Sequence, residues 1–169
     1  MIKPHSALLM FLLAPAVWLA PISAQAGSDP ENVIKALYRA HQPWDGKQLS
    51  FDNPKTLSKY FGKELTSLFL RNAEIEKACP TGELCGIDFD PFINAQDFED
   101  HLHFVLRIEH ESPSSANLYA AHFKLFNDDK SDQVVVFKLA KFKADWRITD
   151  IIYPDQVNAS LKSILAAIH

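Results

Sequence analysis

Apolar residues change their spacing once along this chain, and that change constrains the fold more than any other feature. Between Pro30 and Ala78 they recur at intervals of three and four; beyond about residue 103 they alternate singly. Helices first and strands afterwards exclude a repeating strand-helix-strand fold and predict an α+β domain, with helices gathered against an antiparallel sheet.

The helical half has two start signals. At Ser28-Asp29-Pro30-Glu31 either Ser28 or Asp29 can cap, proline suits the first turn, and acidic groups favour the positive end of the helix dipole. Val33, Ile34, Leu37, Tyr38 and His41 then form one stripe. Pro43 and Gly46 interrupt the pattern. Asn53-Pro54 opens a second helix, whose stripe of Leu57, Phe61, Leu65, Leu68 and Phe69 runs toward Ala78 with a bend at Gly62. Residues Asp90 to Asp97 read as an irregular entry into a short helical turn.

Strands follow. His103 to Glu109 is the first, and Asn117 to Phe126 the second, with Tyr119, Ala121, Phe123 and Leu125 on one face. A turn at Asn127-Asp128-Asp129-Lys130 leads to Gln133 to Phe142, where Val135, Phe137 and Leu139 share a face. Lys143-Ala144-Asp145 connects to Trp146 to Tyr153, with Trp146, Ile148 and Ile152 on one side. Asn158-Ala159-Ser160 caps a last helix carrying Leu161, Ile164, Leu165 and Ile168. The expected architecture is N-terminal helices on a curved antiparallel sheet with a C-terminal helix, a roll with a pocket at its open end.

Residues 1–26 predict export. Lys3 is a positive leader, Ala7 to Ala20 an apolar stretch, and Ala24-Gln25-Ala26 places small residues where a signal peptidase reads them. The stretch is shorter than the ~20 residues of a bilayer span, and Pro15 and Pro21 interrupt it, so no stable membrane insertion is expected after cleavage. No cysteine stands near the cut to accept a lipid. Cleavage after Ala26 leaves a single domain, residues 27–169, with more acidic than basic side chains. That balance argues against nucleic acid or anionic membrane as partner. The expected compartment is the periplasm.

Cys79 and Cys85 are the two cysteines of the chain. In an oxidising compartment so close a pair most simply forms a disulfide, which contributes about 2 kcal/mol for a loop this short. A redox pair would sit as Cys-x-x-Cys at a helix start, and zinc would need further ligands.

The segment Ile87-Asp88-Phe89-Asp90-Pro91-Phe92-Ile93-Asn94-Ala95-Gln96-Asp97 resembles the signature of a bacterial family of exported proteins and lipoproteins whose domain has no assigned function. Leu37-Tyr38, the stretch Trp146-Arg147-Ile148-Thr149-Asp150-Ile151 and Ser160-Leu161 are similar to that family as well. The resemblance implies a cystatin-like or ketosteroid-isomerase-like fold. It implies no reaction.

Tyr38, Asp90, Gln96, Asp97 and Asp150 are the candidate binding residues, polar groups in apolar surroundings. Asp90 or Asp97 could serve as a general base if its carboxylate lined a pocket, with Gln96 orienting a ligand. The structural alternative, which the residue types favour, has these groups accepting backbone N–H bonds in turns and at strand ends. His101 and His103, two apart with Asp97 and Glu99 nearby, fall short of a zinc site, and His122 reads as an outward-facing strand residue. No metal or cofactor is expected. Hydrolase, metalloprotease and nucleotide-binding motifs are absent from the sequence. The leading expectation is a non-catalytic binding domain for a protein or small molecule, in one version an immunity-type inhibitor of a cell-wall hydrolase with the Cys79–Cys85 loop entering the enzyme's cleft. The alternative is a small enzyme using the cone pocket.

Overall fold

The structure, a computed structural model, describes residues 29–111, 117–156 and 159–168. Residues 1–26, expected to form the export segment, together with Ser28 and Asn158, lie outside them. The described residues form an α+β fold: helices α1 (Pro30–Ala40), α2 (Pro54–Leu57) and α3 (Lys63–Ala78), strands β1 (Arg107–His110), β2 (Leu118–Phe123), β3 (Gln133–Phe142) and β4 (Asp145–Ile152), and helix α4 (Leu161–Ala167). The strands form one antiparallel sheet in sequential order, β1-β2-β3-β4.

Helices α1, α2 and α4 each start at a side-chain cap. The Asp29 carboxylate accepts from Glu31 N at 3.1 Å, and Asn53 Oδ1 accepts from the N–H groups of Lys55 and Thr56. Ser160 caps α4 in a reciprocal box with Ser163. At the other end of α4, one guanidinium nitrogen of Arg71 on α3 donates to the carbonyls of Leu165 and Ile168, so the two helices are tied where α4 stops.

The second helical stripe is not one helix. It breaks between Leu57 and Lys63: α2 ends at Leu57, the chain turns, and residues 60–62 run beside β4, where Ile148 N donates to Tyr60 O and Gly62 N to Ile148 O, each at 2.8 Å. This short addition covers part of the outer edge of β4, which would otherwise present unpaired backbone groups. Gly62 then starts α3 rather than bending a longer helix.

On the core face, Ala121 and Phe123 of β2 and Val135, Phe137 and Leu139 of β3 are buried, as alternation predicts. In β4 the partner of Ile148 on that face is Ile151, not Ile152. The register shifts between Lys138 and Leu139, which pair with Asp150 and Ile148, and leaves Thr149 as an extra residue. That bulge turns two isoleucines three apart to the same side. Helices α1, α3 and α4 all pack against β4. The core between them is rich in rings: Phe61 stacks on Phe92 at 5.7 Å and Phe51 on Phe69 at 5.1 Å.

Two further expectations are corrected. Residues 90–97 form no helical turn; they make a tight loop closed by Asp90 N donating to Ala95 O at 2.8 Å, with Asn94 at φ 52°. The first strand is paired only over Arg107–His110, so His101 and His103 lie outside the sheet.

Candidate functional site

The five candidate binding residues occupy three places. Tyr38 and Asp90 are inside, in one hydrogen-bonded unit. Asp90 Oδ1 accepts from Phe92 N at 2.9 Å, which holds the turn, and Oδ2 pairs with Nε2 of buried His41. His41 Nδ1 accepts from Leu49 N at 3.0 Å, so the ring proton resides on Nε2 and is donated to Asp90. Tyr38 donates its hydroxyl to Phe92 O at 2.7 Å, and Tyr153 donates to Pro91 O at 3.0 Å. Burial, reinforced by the Asp90 carboxylate, pushes both phenols well above their ordinary range. They are permanent donors at neutral pH.

Gln96 and Asp97 are at the surface. The Gln96 amide donates to Asp88 at 3.1 Å, and the exposed Asp97 carboxylate makes no hydrogen bond among the described residues. Asp150 sits under the start of α4, where its Oδ1 accepts from Ile151 N and Lys162 N. None of the five lines either of the two pockets described below. The convergence that acid-base chemistry requires is therefore not met: Asp90 is held by its neighbours and Asp97 stands alone on the surface. His41, which completes the Asp90 unit, reads in the sequence only as one more member of an amphipathic stripe. No sequence signal pairs residues 49 positions apart.

Cys79 and Cys85 are joined by a disulfide. The five residues between them are all exposed, with Leu84 76 % exposed. The loop is nevertheless held firmly at its exit. Asn72, buried on α3, accepts from Ile87 N at 3.1 Å and donates to Glu76 at 2.7 Å. Gly86 (φ 81°) lies so close to that pair that a Cβ there would stand 2.6 Å from Glu76 Cγ and 2.7 Å from Asn72 Oδ1.

A groove of about 780 Å³ lies at the other end of α3. Phe61, Leu65 and half-exposed Phe142 give it apolar walls, and Ser58, Arg147 and Thr149 line its rim. Arg147 is fixed there by donating to Ser58 O and Trp146 O. A smaller pocket of about 310 Å³ lies over the outward face of β1 and β2, where Arg107 pairs with Asp132 at 3.1 Å and His122 lies 3.7 Å from Glu109. Arg107 is thus already paired with an acid, and Lys124 donates to the backbone carbonyl of Asp129. His122 does face outward, yet its side chain is largely covered.

Among the described residues, no group of three His, Cys, Asp or Glu side chains is placed to hold a metal ion, and no helix is long and apolar enough to cross a membrane. Compared with protein-family models, curated proteins and solved structures, the chain finds no match.

Proposed function

We propose that this chain is an exported, non-catalytic binding domain that presents the Cys79–Cys85 loop to a protein partner. One observation carries the reading: the loop is fixed by a disulfide, by Asn72 and by Gly86, yet the five residues between the cysteines are all exposed and it displays Leu84 to solvent. Ordering a loop before binding removes an entropic cost from association, and a fixed apolar tip suits insertion into a partner's cleft. Export, read from residues 1–26, would put the domain where a disulfide persists. An inhibitor of a wall-degrading enzyme is the version this small, acidic, motif-free chain suits best. The partner would offer an apolar pocket able to receive Leu84 beside the Glu83 carboxylate.

The test uses the purified protein and its Leu84→Asp variant, added to muralytic secretions of competing cells. Quenching of wall hydrolysis by the wild type, reduced at least about tenfold by the variant, supports the reading. Unquenched hydrolysis, together with equal retention of extract proteins by both chains, overturns it.

A further inference from the structure

We infer that the open edge of β1 is a self-association surface, on which β1 of a second copy of this chain adds antiparallel and extends the sheet. No residue of β1 belongs to the Cys79–Cys85 loop, so self-pairing and the loop's binding role stand or fall separately.

The two edges of the sheet differ. The outer edge of β4 is covered at one end by residues 60–62 and at the other by the bridge between Ile152 and Ser160. Strand β1 pairs with β2 alone. Its register fixes which backbone groups are left over. Glu111 N donates to Leu118 O at 3.0 Å, and hydrogen-bonded pairs alternate along an antiparallel ladder, so Glu109 with Ala120 and Arg107 with His122 are the next such pairs. Ile108 and His110 therefore turn their N–H and C=O groups away from β2, where they meet no backbone partner among the described residues. A row of this kind is a template for another strand.

Charge selects both the strand and its register. A second β1 must set its own outward-turned groups against these, so Ile108 can face only Leu106, Ile108 or His110 of the second copy. If it faced Leu106, Arg107 would stand opposite Arg107; if it faced His110, Glu109 would stand opposite Glu109. If it faces Ile108, Arg107 stands opposite Glu109, and two-fold symmetry makes that pair twice. These are the non-hydrogen-bonded positions, where side chains across a ladder come closest, so opposite charges stabilise and like charges destabilise. Arg107 and Glu109 are both half-exposed and free to turn toward such a neighbour. On the other face Ile108, beside buried Ala121 and itself only half-buried, meets Ile108 of the second copy, so apolar surface that each leaves in water is covered. Complementarity of this strand with its own sequence favours a second copy over an unrelated strand.

The experiment follows the purified protein by sedimentation equilibrium up to about 1 mM, with amide exchange read in dilute and concentrated samples. A monomer–dimer equilibrium is expected. Exchange at Ile108 and His110 should slow at least about tenfold on concentration, while Ala120 and His122, bonded within one copy, are unchanged. Arg107→Glu and Glu109→Arg are each expected to weaken the dimer at least about tenfold, since like charges then face each other twice. An equimolar mixture of the two variants should recover it, because every facing pair is then again of opposite sign, and recovery also shows that both variants fold. A chain that stays monomeric at every concentration overturns the inference, including one whose Ile108 amide slows only when a strand of another protein is added. A dimer that both variants leave intact, or a mixture that recovers nothing, places the contact elsewhere and overturns it as well.

Discussion

His41 bridges two segments that the sequence separates widely: its Nδ1 receives the Leu49 N–H, and its Nε2 proton goes to the carboxylate of Asp90. The same carboxylate receives the Phe92 N–H, so one side chain orders both the 41–49 loop and the 90–95 turn. Asp90→Ala is expected to leave two donors in a largely dry setting without acceptors, on the order of 1–3 kcal/mol each. Urea denaturation followed by circular dichroism reads this as a lower midpoint at unchanged slope. A variant as stable as the wild type would return Asp90 to the list of free carboxylates.

The two buried phenols make stability fall at alkaline pH. Tyr38 and Tyr153 hold their protons more tightly in the folded chain than unfolded, where a tyrosine titrates near pH 10.0. A group whose pKa is raised by folding contributes its full stability below the unfolded value and loses it as pH climbs toward the folded one. The urea midpoint should therefore hold up to about pH 10 and fall beyond it. In Tyr38→Phe the neutral-pH unfolding free energy drops by about 1 kcal/mol through the lost bond to Phe92 O, and the alkaline fall becomes shallower. An alkaline limb of equal slope in that variant would remove Tyr38 as its source.

Glycines 82 and 86 look alike in backbone conformation, at φ 89° and 81°, and differ in surroundings. A Cβ on Gly82 would meet nothing within 4 Å, whereas one on Gly86 would overlap Asn72 and Glu76. Gly82→Ala is expected to cost about 1–2 kcal/mol for the left-handed backbone alone. Gly86→Ala should cost at least about 1 kcal/mol more, through displacement of the Asn72–Glu76 pair. Thermal melts of the two variants side by side check the order, and a reversed order would show that Asn72 does not anchor the loop.

What could be read from sequence was what depends on near neighbours. The span of β3, Gln133–Phe142, follows from alternation and its flanking turns, and the Cys79–Cys85 pair from close spacing in a chain expected to be exported. The break between Leu57 and Lys63 was hidden because Leu57, Phe61 and Leu65 keep helical spacing across it, whereas residues 60–62 pair with Ile148, far along the chain. The bulge at Thr149 was hidden likewise, since alternation carried through it puts Ile152 rather than Ile151 on the core side. Asp90 and Tyr38 stood out as polar residues in apolar context, and the structural alternative fits both. Gln96 and Asp97 stood out for the same reason but lie on the surface, because a tight loop turns successive side chains in unrelated directions.

The disulfide loop separates stability from binding in a way one double variant exposes. Cys79→Ser with Cys85→Ser removes a closure of six residues' separation, worth about 2 kcal/mol in the chain-entropy model. The core stays intact, since neither cysteine is among its buried residues and Asn72 still holds Ile87 N. The melting temperature should fall by several degrees while the folded circular dichroism spectrum is retained. If the loop is the binding element, affinity for its partner falls by more than the fraction of chain unfolded accounts for, because five exposed residues must then be ordered on association. Binding that follows the folded fraction alone would leave the disulfide a purely stabilising role.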